Sequence, residues 1–226
     1  MAKTYTIAID GPAGAGKSTI ARALAKELGY YYVDTGAIYR TVAYFLDLLG
    51  VSPKDVDGVE RYLDELTVEI EYDEEGKQHM LMNGMDVTDD IRTPDISQKA
   101  SLVSAHGIVR DMLLDMQRDV AKKHNVIMDG RDIGTVVLPR ATVKIFLTAS
   151  AEVRAQRRLD EMLAKGQQGN FKQVLADIQQ RDYQDSLRPI APLKQAKDAV
   201  LLDTSELDIE GVIAAMKKIV GEKIHL

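Results

Sequence analysis

The residues in this sequence that could most clearly do chemistry form a short loop near the N-terminus. Residues 11–18 read Gly-Pro-Ala-Gly-Ala-Gly-Lys-Ser and match the phosphate-binding pattern G-x-x-x-x-G-K-[ST] in full. The glycines allow the backbone to turn its N–H groups inward around an anion. Lys17 can then reach the β- and γ-phosphates of a nucleotide, and the Ser18 hydroxyl can bind Mg²⁺. The loop therefore predicts a nucleoside triphosphate site.

The segments on either side of this loop are the ones that such a loop needs. Residues 5–10 form a short run rich in β-formers, and residues 18–28 carry apolar side chains at helical spacing that stops at Gly29. A strand, a glycine-rich loop and a helix in this order bring the positive end of the helix dipole to the phosphate site. The alternative is a glycine-rich turn without a ligand, and the flanking pattern argues against it.

Composition limits the remaining chemistry. The 226 residues include no cysteine, which excludes disulfides, thiolate metal sites and cysteine nucleophiles. No apolar run is long enough to cross a membrane and no signal peptide is evident, so we expect a cytoplasmic protein without a membrane partner. The histidines are scattered, without the spacing of metal ligands, and are expected on the surface or at helix ends: His79, His106, His124 and His225.

The charges indicate what kind of partner to expect. The formal net charge is −6, which disfavours binding to a nucleic-acid backbone. Five of the thirteen arginines nevertheless fall within residues 154–188. Such a cluster indicates a local anion site, although an exposed helix with i,i+4 ion pairs would also explain it.

Strand-like and helix-like segments alternate along the chain, which predicts an α/β fold with a parallel sheet between helices. The period changes in one region, where residues 68–72 and 79–82 read as the two strands of an antiparallel hairpin. This hairpin predicts a small subdomain inserted into the main sheet. The other predicted strands cover residues 7–10, 30–33, 126–128, 143–147 and 200–203; the other predicted helices cover residues 38–49, 54–66, 94–105, 108–123, 151–164, 171–183 and 209–220, with an irregular stretch at 186–193.

Two further candidate sites follow predicted strands, at the sheet edge where α/β proteins bind ligands. Thr35 offers a hydroxyl and Arg40 a planar guanidinium for a phosphate. A helix-start turn followed by a solvated arginine would explain the same residues without a ligand. Asp129 ends an apolar strand, as expected of a carboxylate that holds Mg²⁺ directly or through water. An apolar strand before an aspartate is common, so Asp129 alone is a weak signal.

The segment after Asp129 adds a charged cluster flanked by glycines. Arg131 could hold a second phosphate, and Asp132 could accept a hydrogen bond from a base edge. Arg181 and Asp185 lie four residues apart, so an ion pair within one helix would also explain them, whereas Arg188 has no such explanation. The sequence has no Asn-Lys-x-Asp guanine-binding motif, which argues against a GTP-dependent switch.

Together these motifs resemble those of the bacterial cytidylate kinases, in the nucleoside-monophosphate kinase group. The resemblance implies an α/β P-loop three-layer fold with a central, mainly parallel five-stranded sheet, an inserted monophosphate-binding subdomain with a β-hairpin, and a short helical lid. It implies a single kinase domain over residues 1–226, with its core at about 1–60 and 104–226, the insertion at about 61–103 and the lid at about 151–170. The matching segments cover residues 9–19, 34–40, 86–92, 103–110, 129–137, 144–147 and 188–193.

The resemblance also implies a role for each matching residue. ATP would be bound by Gly11, Pro12, Ala13, Gly14, Ala15, Gly16, Lys17, Ser18, Thr19 and Arg157. The acceptor would be bound by Thr35, Tyr39, Arg40, Ser101, Arg110, Arg131, Asp132, Arg181, Asp185 and Arg188. The catalytic residues would be Lys17, Asp129, Arg131, Arg154 and Arg158, with Ser18 and Asp129 at Mg²⁺. Arg154, Arg157 and Arg158 would lie on one face of the lid helix.

The implied reaction transfers the γ-phosphate of ATP to CMP or dCMP, giving CDP or dCDP and ADP. Mg²⁺ would be the cofactor, the partners would be these small nucleotides, and we expect a monomer that binds no nucleic acid. The alternative enzyme is a P-loop kinase for another nucleoside monophosphate or a small metabolite. The non-enzyme alternative is a nucleotide-dependent regulatory or RNA-associated P-loop protein.

Overall fold

The computed structural model describes residues 4–224 as strands and helices that alternate along most of the chain. The strands are β1 (Thr6–Asp10), β2 (Tyr31–Asp34), β3 (Val68–Tyr72), β4 (Gln78–Met82), β5 (Met85–Asp86), β6 (Val126–Gly130), β7 (Val143–Thr148) and β8 (Val200–Asp203). The helices are α1 (Lys17–Leu28), α2 (Thr35–Leu48), α3 (Val56–Leu63), α4 (Pro94–Val103), α5 (Gly107–Lys123), α6 (Ala151–Ala164), α7 (Phe171–Leu187) and α8 (Ile209–Ile224).

In the described part of the chain, a central sheet joins five parallel strands in the order β2-β6-β1-β7-β8. This sheet confirms the predicted α/β P-loop fold. Its strands are covered on both faces: Ile7 and Ile9 pack with α1 and α8, whereas Ala8 packs in the cluster that contains Ile38 of α2 and Val109 of α5. Because the strands are parallel, their carboxyl ends meet at one edge, and the loops that follow them lie together there.

The segment between α2 and α5 contains the predicted hairpin. β3 and β4 pair antiparallel with Tyr72 opposite Gln78, and β5 adds a short strand that the sequence did not predict. A two-residue turn joins β4 to β5, and both its residues, Asn83 and Gly84, have positive φ angles of 50° and 78°. Met80 of this small sheet belongs to the same hydrophobic cluster as the central helices, so the small sheet packs directly on the core.

Three local features differ from the sequence prediction. The predicted helix 54–66 is shorter, because Asp55 caps α3 with its carboxylate and the helix ends at Leu63. α7 runs to Leu187, so the irregular stretch predicted from residue 186 begins later, at the residue that precedes Pro189. A π-helical turn, Ile133–Val137, follows β6 and was not predicted.

α6 and α7 form an outer pair beside the central sheet. They pack against each other through Ala155, Val174 and Ile178, a small cluster of buried side chains. Within residues 4–224, no helix has both the length and the apolar character needed to cross a membrane. Of the four histidines considered above, His225 lies outside the described residues.

Candidate active site

The phosphate-binding loop connects β1 to α1, as its sequence predicts. Two of its glycines have backbone conformations that other residues rarely adopt: Gly14 and Gly16 have φ angles of 75° and 83°. A Cβ atom on Gly11 would lie 1.9 Å from the carbonyl oxygen of Leu147 at the end of β7. The loop is therefore fixed against the neighbouring strand, and α1 begins directly behind it at Lys17.

Lys17 is buried against the preceding residues of the phosphate-binding loop. Its Nζ donates a hydrogen bond of 2.8 Å to the carbonyl oxygen of Pro12, and only 6% of the residue is exposed. Burial lowers the pKa of Lys17, as does the positive charge of Arg131, while the carboxylate of Asp129 raises it; together these effects bring the pKa to about 7. This ammonium group thus lies in an environment that favours an added negative charge.

Asp129 is the last residue but one of β6 and lies beside the start of α1. The hydroxyls of Ser18 and Tyr32 each donate a 2.8 Å hydrogen bond to its carboxylate. Burial raises the pKa of Asp129, as does the nearby charge of Asp34, whereas Lys17 lowers it. Tyr32 carries no motif and was not predicted; it reaches Asp129 because β2 and β6 are neighbouring strands.

The donor atoms at this point fit Mg²⁺. A hydroxyl and a carboxylate are oxygen ligands of the kind that Mg²⁺ prefers, and this ion usually takes only one or two ligands from the protein and completes its shell with phosphates and water. Among residues 4–224, no group of three or more His, Asp or Glu side chains could form an all-protein metal site. Ser18 and Asp129 are thus the residues suited to hold Mg²⁺ beside bound phosphates.

The segment after β2 holds a second anion-binding candidate. Asp34 caps α2 by accepting a 2.9 Å hydrogen bond from the N–H of Ala37, and it pairs with Arg40 Nη2 at 2.9 Å. Burial alone would raise the pKa of Asp34, but Arg40 and the Ala37 N–H bring it below its usual value. Thr35 donates a 2.7 Å hydrogen bond to the carbonyl oxygen of Asp129, which joins this segment to the Mg²⁺-type site.

Arg131 follows β6 and lies close to two residues of α7, Arg181 and Asp185. The Nε of Arg131 donates to Asp185 at 2.8 Å, and the hydroxyl of Ser101 donates to the same carboxylate at 2.9 Å. Arg181 does not pair with Asp185, so the alternative of a simple ion pair within one helix is wrong. Its Nε is buried without a hydrogen-bond partner among the described residues, and burial together with Arg131 lowers its pKa to about 10.

A buried pair of arginines surrounds Asp132. Arg110 and Arg188 both form ion pairs with its carboxylate, Arg188 at 3.1 Å. Ser104, which the sequence analysis missed, holds both arginines: its carbonyl accepts from Arg110 at 3.1 Å and its hydroxyl from Arg188 at 3.0 Å. The guanidinium of Arg110 also lies 5.4 Å from the centre of the Tyr39 ring.

The arginines of α6 separate. Arg154 is buried and donates to the carbonyl oxygen of Ala13 at 2.9 Å, while it pairs with Asp182 of α7 at 2.7 Å. Arg157 instead donates to carbonyl oxygens of the segment that follows β8. Arg158 forms an exposed ion pair with Glu161 at 3.4 Å. In this structure only Arg154 therefore contacts the loop, and the expectation that one helix face presents all of these arginines together is not met.

Asp10, like Tyr32 and Ser104, was not predicted as a site residue. Its carboxylate accepts hydrogen bonds of 2.7 Å from the backbone N–H groups of Ile133 and Gly134, and so fixes the π-helical turn that follows Arg131 and Asp132. Burial raises its pKa to about 6. The same signal that marked Asp129, an aspartate at the end of an apolar strand, could have identified it.

The structure thus brings together a loop with the phosphate-binding sequence, a candidate anion site, and a hydrogen-bonded cluster of two arginines and a carboxylate. A family model described as cytidylate kinase matches residues 7–222. The chain belongs to the cytidylate kinase family. A cytidylate kinase from Carboxydothermus hydrogenoformans is 50% identical over 217 residues, which cover 96% of this chain and 97% of that relative. A cytidylate kinase from an Exiguobacterium species is 47% identical over 222 residues, covering 98% and 99% of the two chains.

A solved structure resembles this fold without a close sequence relationship. It is an uncharacterized protein from Eubacterium ventriosum, with a TM-score of 0.50 and 14% identity, and the match covers 97% of this chain and 99% of that one. That likeness concerns the fold alone. The family match confirms the resemblance predicted from the motifs, whereas the roles of the individual cytidylate kinase site residues remain predictions.

Proposed function

We propose that this member of the cytidylate kinase family transfers the γ-phosphoryl group of ATP to CMP or dCMP, giving CDP or dCDP and ADP. The observation that carries the proposal is the hydrogen bond between Thr35 and the backbone of Asp129. Asp129 also accepts a hydrogen bond from Ser18 of the triphosphate loop, so a candidate second anion site lies beside that loop at the same sheet edge, as a two-substrate phosphoryl transfer needs.

The donor half of the proposed site is the loop at residues 11–19. Its N–H groups and Lys17 would bind the phosphates of ATP, and the low pKa of Lys17 favours a ligand that brings negative charge. Ser18 and Asp129 would hold Mg²⁺, with Asp129 acting through water. When bound, Mg²⁺ neutralises negative charge on the β- and γ-phosphates.

The acceptor half would be formed by Thr35, Arg40 and Arg131. A guanidinium is a planar fork that binds phosphate oxygens, and each of these arginines is already fixed by a carboxylate, Asp34 or Asp185. Arg181 and Ser101 line the same side and, with Asp185, would surround the ribose and base.

Base recognition would depend on Asp132 and the arginines that it binds. A carboxylate accepts hydrogen bonds only, so it suits the 4-amino group of cytosine and not the 4-keto group of uracil. Because a buried site with unpaired polar groups rejects the wrong base strongly, we expect CMP and dCMP to be preferred over UMP. Arg110, Arg188 and Tyr39 would complete the pocket.

Catalysis in this proposal is positioning and charge compensation. Lys17, Arg131 and Arg154 would neutralise charge that shifts toward the β–γ bridge, without a strong general base. Arg157 and Arg158 lie on the same helix, so movement of α6 would bring them over the ATP phosphates and exclude water. We expect a cytoplasmic monomer that acts on small nucleotides.

A transfer assay tests the proposal. The protein is mixed with Mg²⁺, ATP labelled at the γ-phosphate and CMP, and the products are separated. We expect the label in CDP, one ADP for each CDP, and little inorganic phosphate. Label that appears only in inorganic phosphate, whatever the acceptor, would exclude the kinase. If another monophosphate or a small metabolite takes the label and CMP does not, the alternative P-loop kinase is favoured. If ATP is not turned over with any acceptor, the result favours the alternative of a regulatory or RNA-associated P-loop protein.

A further inference from the structure

The small sheet of β3, β4 and β5 is hydrogen-bonded to the outer edge of β2 by two side chains. The amide of Gln78 accepts from the N–H of Asp34 at 2.7 Å and donates to the carbonyl oxygen of Asp34 at 3.4 Å. The hydroxyl of Tyr72 donates to the carbonyl oxygen of Tyr32 at 3.1 Å. Since β2 is an edge strand of the central sheet, these backbone groups have no neighbouring strand, and the two side chains take its place.

The two contacts form a matched pair. Tyr72 and Gln78 stand opposite each other in the β3–β4 hairpin, and they bond to Tyr32 and Asp34, successive positions on the outer edge of β2. Both hydrogen-bond to backbone groups, and both attach the same sheet to the same strand. They differ in the further contacts of the β2 residue that each of them binds.

Only the Gln78 contact leads to the proposed acceptor site. Asp34 is the residue whose carboxylate caps α2 and pairs with Arg40, and both Gln78 and Asp34 are buried. Gln78 holds the backbone of Asp34 from one side while Arg40 is bound to its side chain on the other. Tyr72, by contrast, contacts a carbonyl group at Tyr32, two residues earlier, and has no such path to Arg40.

We propose that Gln78 is a positioning residue for the acceptor phosphate, acting through Asp34 on Arg40. This inference rests on the proposed function, since it assumes that Arg40 binds that phosphate. Gln78 does not touch the substrate. It fixes the direction of the Asp34 carboxylate, and with it the N-terminus of α2 and the guanidinium of Arg40.

The expected effect follows from the hydrogen bonds. Gln78→Leu keeps the approximate volume of the side chain but leaves the buried Asp34 N–H without its hydrogen-bond partner. The loss of a buried hydrogen bond of this kind, passed on to the orientation of Arg40, raises KM for CMP on the order of tenfold. KM for ATP stays within about twofold, because the contact is not part of the loop.

Tyr72→Phe is the matched control. It removes the other hydrogen bond between the small sheet and β2, so both variants lower the unfolding temperature by a similar amount. We expect KM for CMP to rise in Gln78→Leu and to stay near the wild-type value in Tyr72→Phe. Equal rises in the two variants would overturn the proposal, because they would show a general loosening of the small sheet. If Gln78→Leu does not fold, Gln78→Met, which also lacks the amide, takes its place.

A double-mutant cycle tests the path through Arg40. In an Arg40→Met background the acceptor phosphate has already lost this ligand, so adding Gln78→Leu should leave KM for CMP unchanged. A second tenfold rise would show that Gln78 acts independently of Arg40 and would overturn the inference. These results are separable from the proposed function: a wild-type protein that does not phosphorylate CMP refutes the function, whereas an active wild type with unchanged Gln78 variants refutes only the role of Gln78.

Discussion

Binding of ATP should be accompanied by protonation of Lys17. The side chain is buried against the loop, and burial and Arg131 lower its pKa to about 7. A bound triphosphate brings several negative charges next to Nζ, which restores the charged form. At pH 8 about 90% of Lys17 is neutral before binding, so the wild-type protein takes up about 0.9 proton; at pH 6 the same reasoning gives about 0.1 proton.

Isothermal titration calorimetry measures this uptake. ATP is titrated in buffers of different ionisation enthalpy, and the slope of the observed enthalpy gives the number of protons bound. Lys17→Arg is the control, because an arginine stays charged throughout and any proton released by ATP itself cancels in the difference between the two proteins.

The result that would refute this reasoning is specific. We expect the wild-type protein to take up close to one more proton than Lys17→Arg at pH 8, and this difference to shrink toward zero at pH 6. A difference near zero at both pH values would mean that Lys17 is charged before ATP binds. The buried environment would then not act on its pKa as described.

Three further predictions concern single residues. Lys17→Ala should lose at least about 10²-fold in turnover, because it removes a charge-stabilising donor, with circular dichroism as the check that the protein is folded; near-normal turnover would contradict its role. Thr35→Val should raise KM for CMP by about tenfold since it loses the hydroxyl that bonds to Asp129, whereas Thr35→Ser should not; equal effects would show that the methyl group matters instead. Asp10 has a raised pKa of about 6 in the folded protein, so its contribution to stability falls by about 2 kcal/mol as the pH rises from 4 to 7. The difference in free energy of unfolding between the wild type and Asp10→Asn, measured with urea, should therefore narrow from pH 4 to pH 7. A constant difference would exclude the raised pKa of Asp10.

The parts of the site that could be predicted are those that local pattern determines. The loop at residues 11–18 depends on glycine conformations and on its own flanking strand and helix, so its sequence is sufficient. Thr35 and Asp129 were identified because each follows an apolar strand, and a parallel sheet brings such positions to one edge. Their direct hydrogen bond, between residues 94 positions apart, depends on β2 and β6 being neighbours, which the sequence does not state.

The parts that could not be predicted are contacts between distant segments. Asp185 is four residues from Arg181, yet it pairs with Arg131, because the fold brings α7 close to the residue that follows β6. Ser104 binds Arg188 from 84 positions away, and its matching segment does not indicate this contact. The spacing of the α6 arginines predicts that they share one helix face. Arg154 nevertheless binds the carbonyl oxygen of Ala13, whereas Arg157 binds that of Thr204.

The most direct test of the account is a comparison of acceptors. Initial rates with saturating ATP and Mg²⁺ are measured for CMP, dCMP, UMP and AMP, and kcat/KM is compared. The account predicts that CMP and dCMP exceed UMP and AMP on the order of 10²-fold or more, because Asp132 and its arginines leave buried groups unpaired with any other base. Equal values for CMP and either UMP or AMP would contradict it.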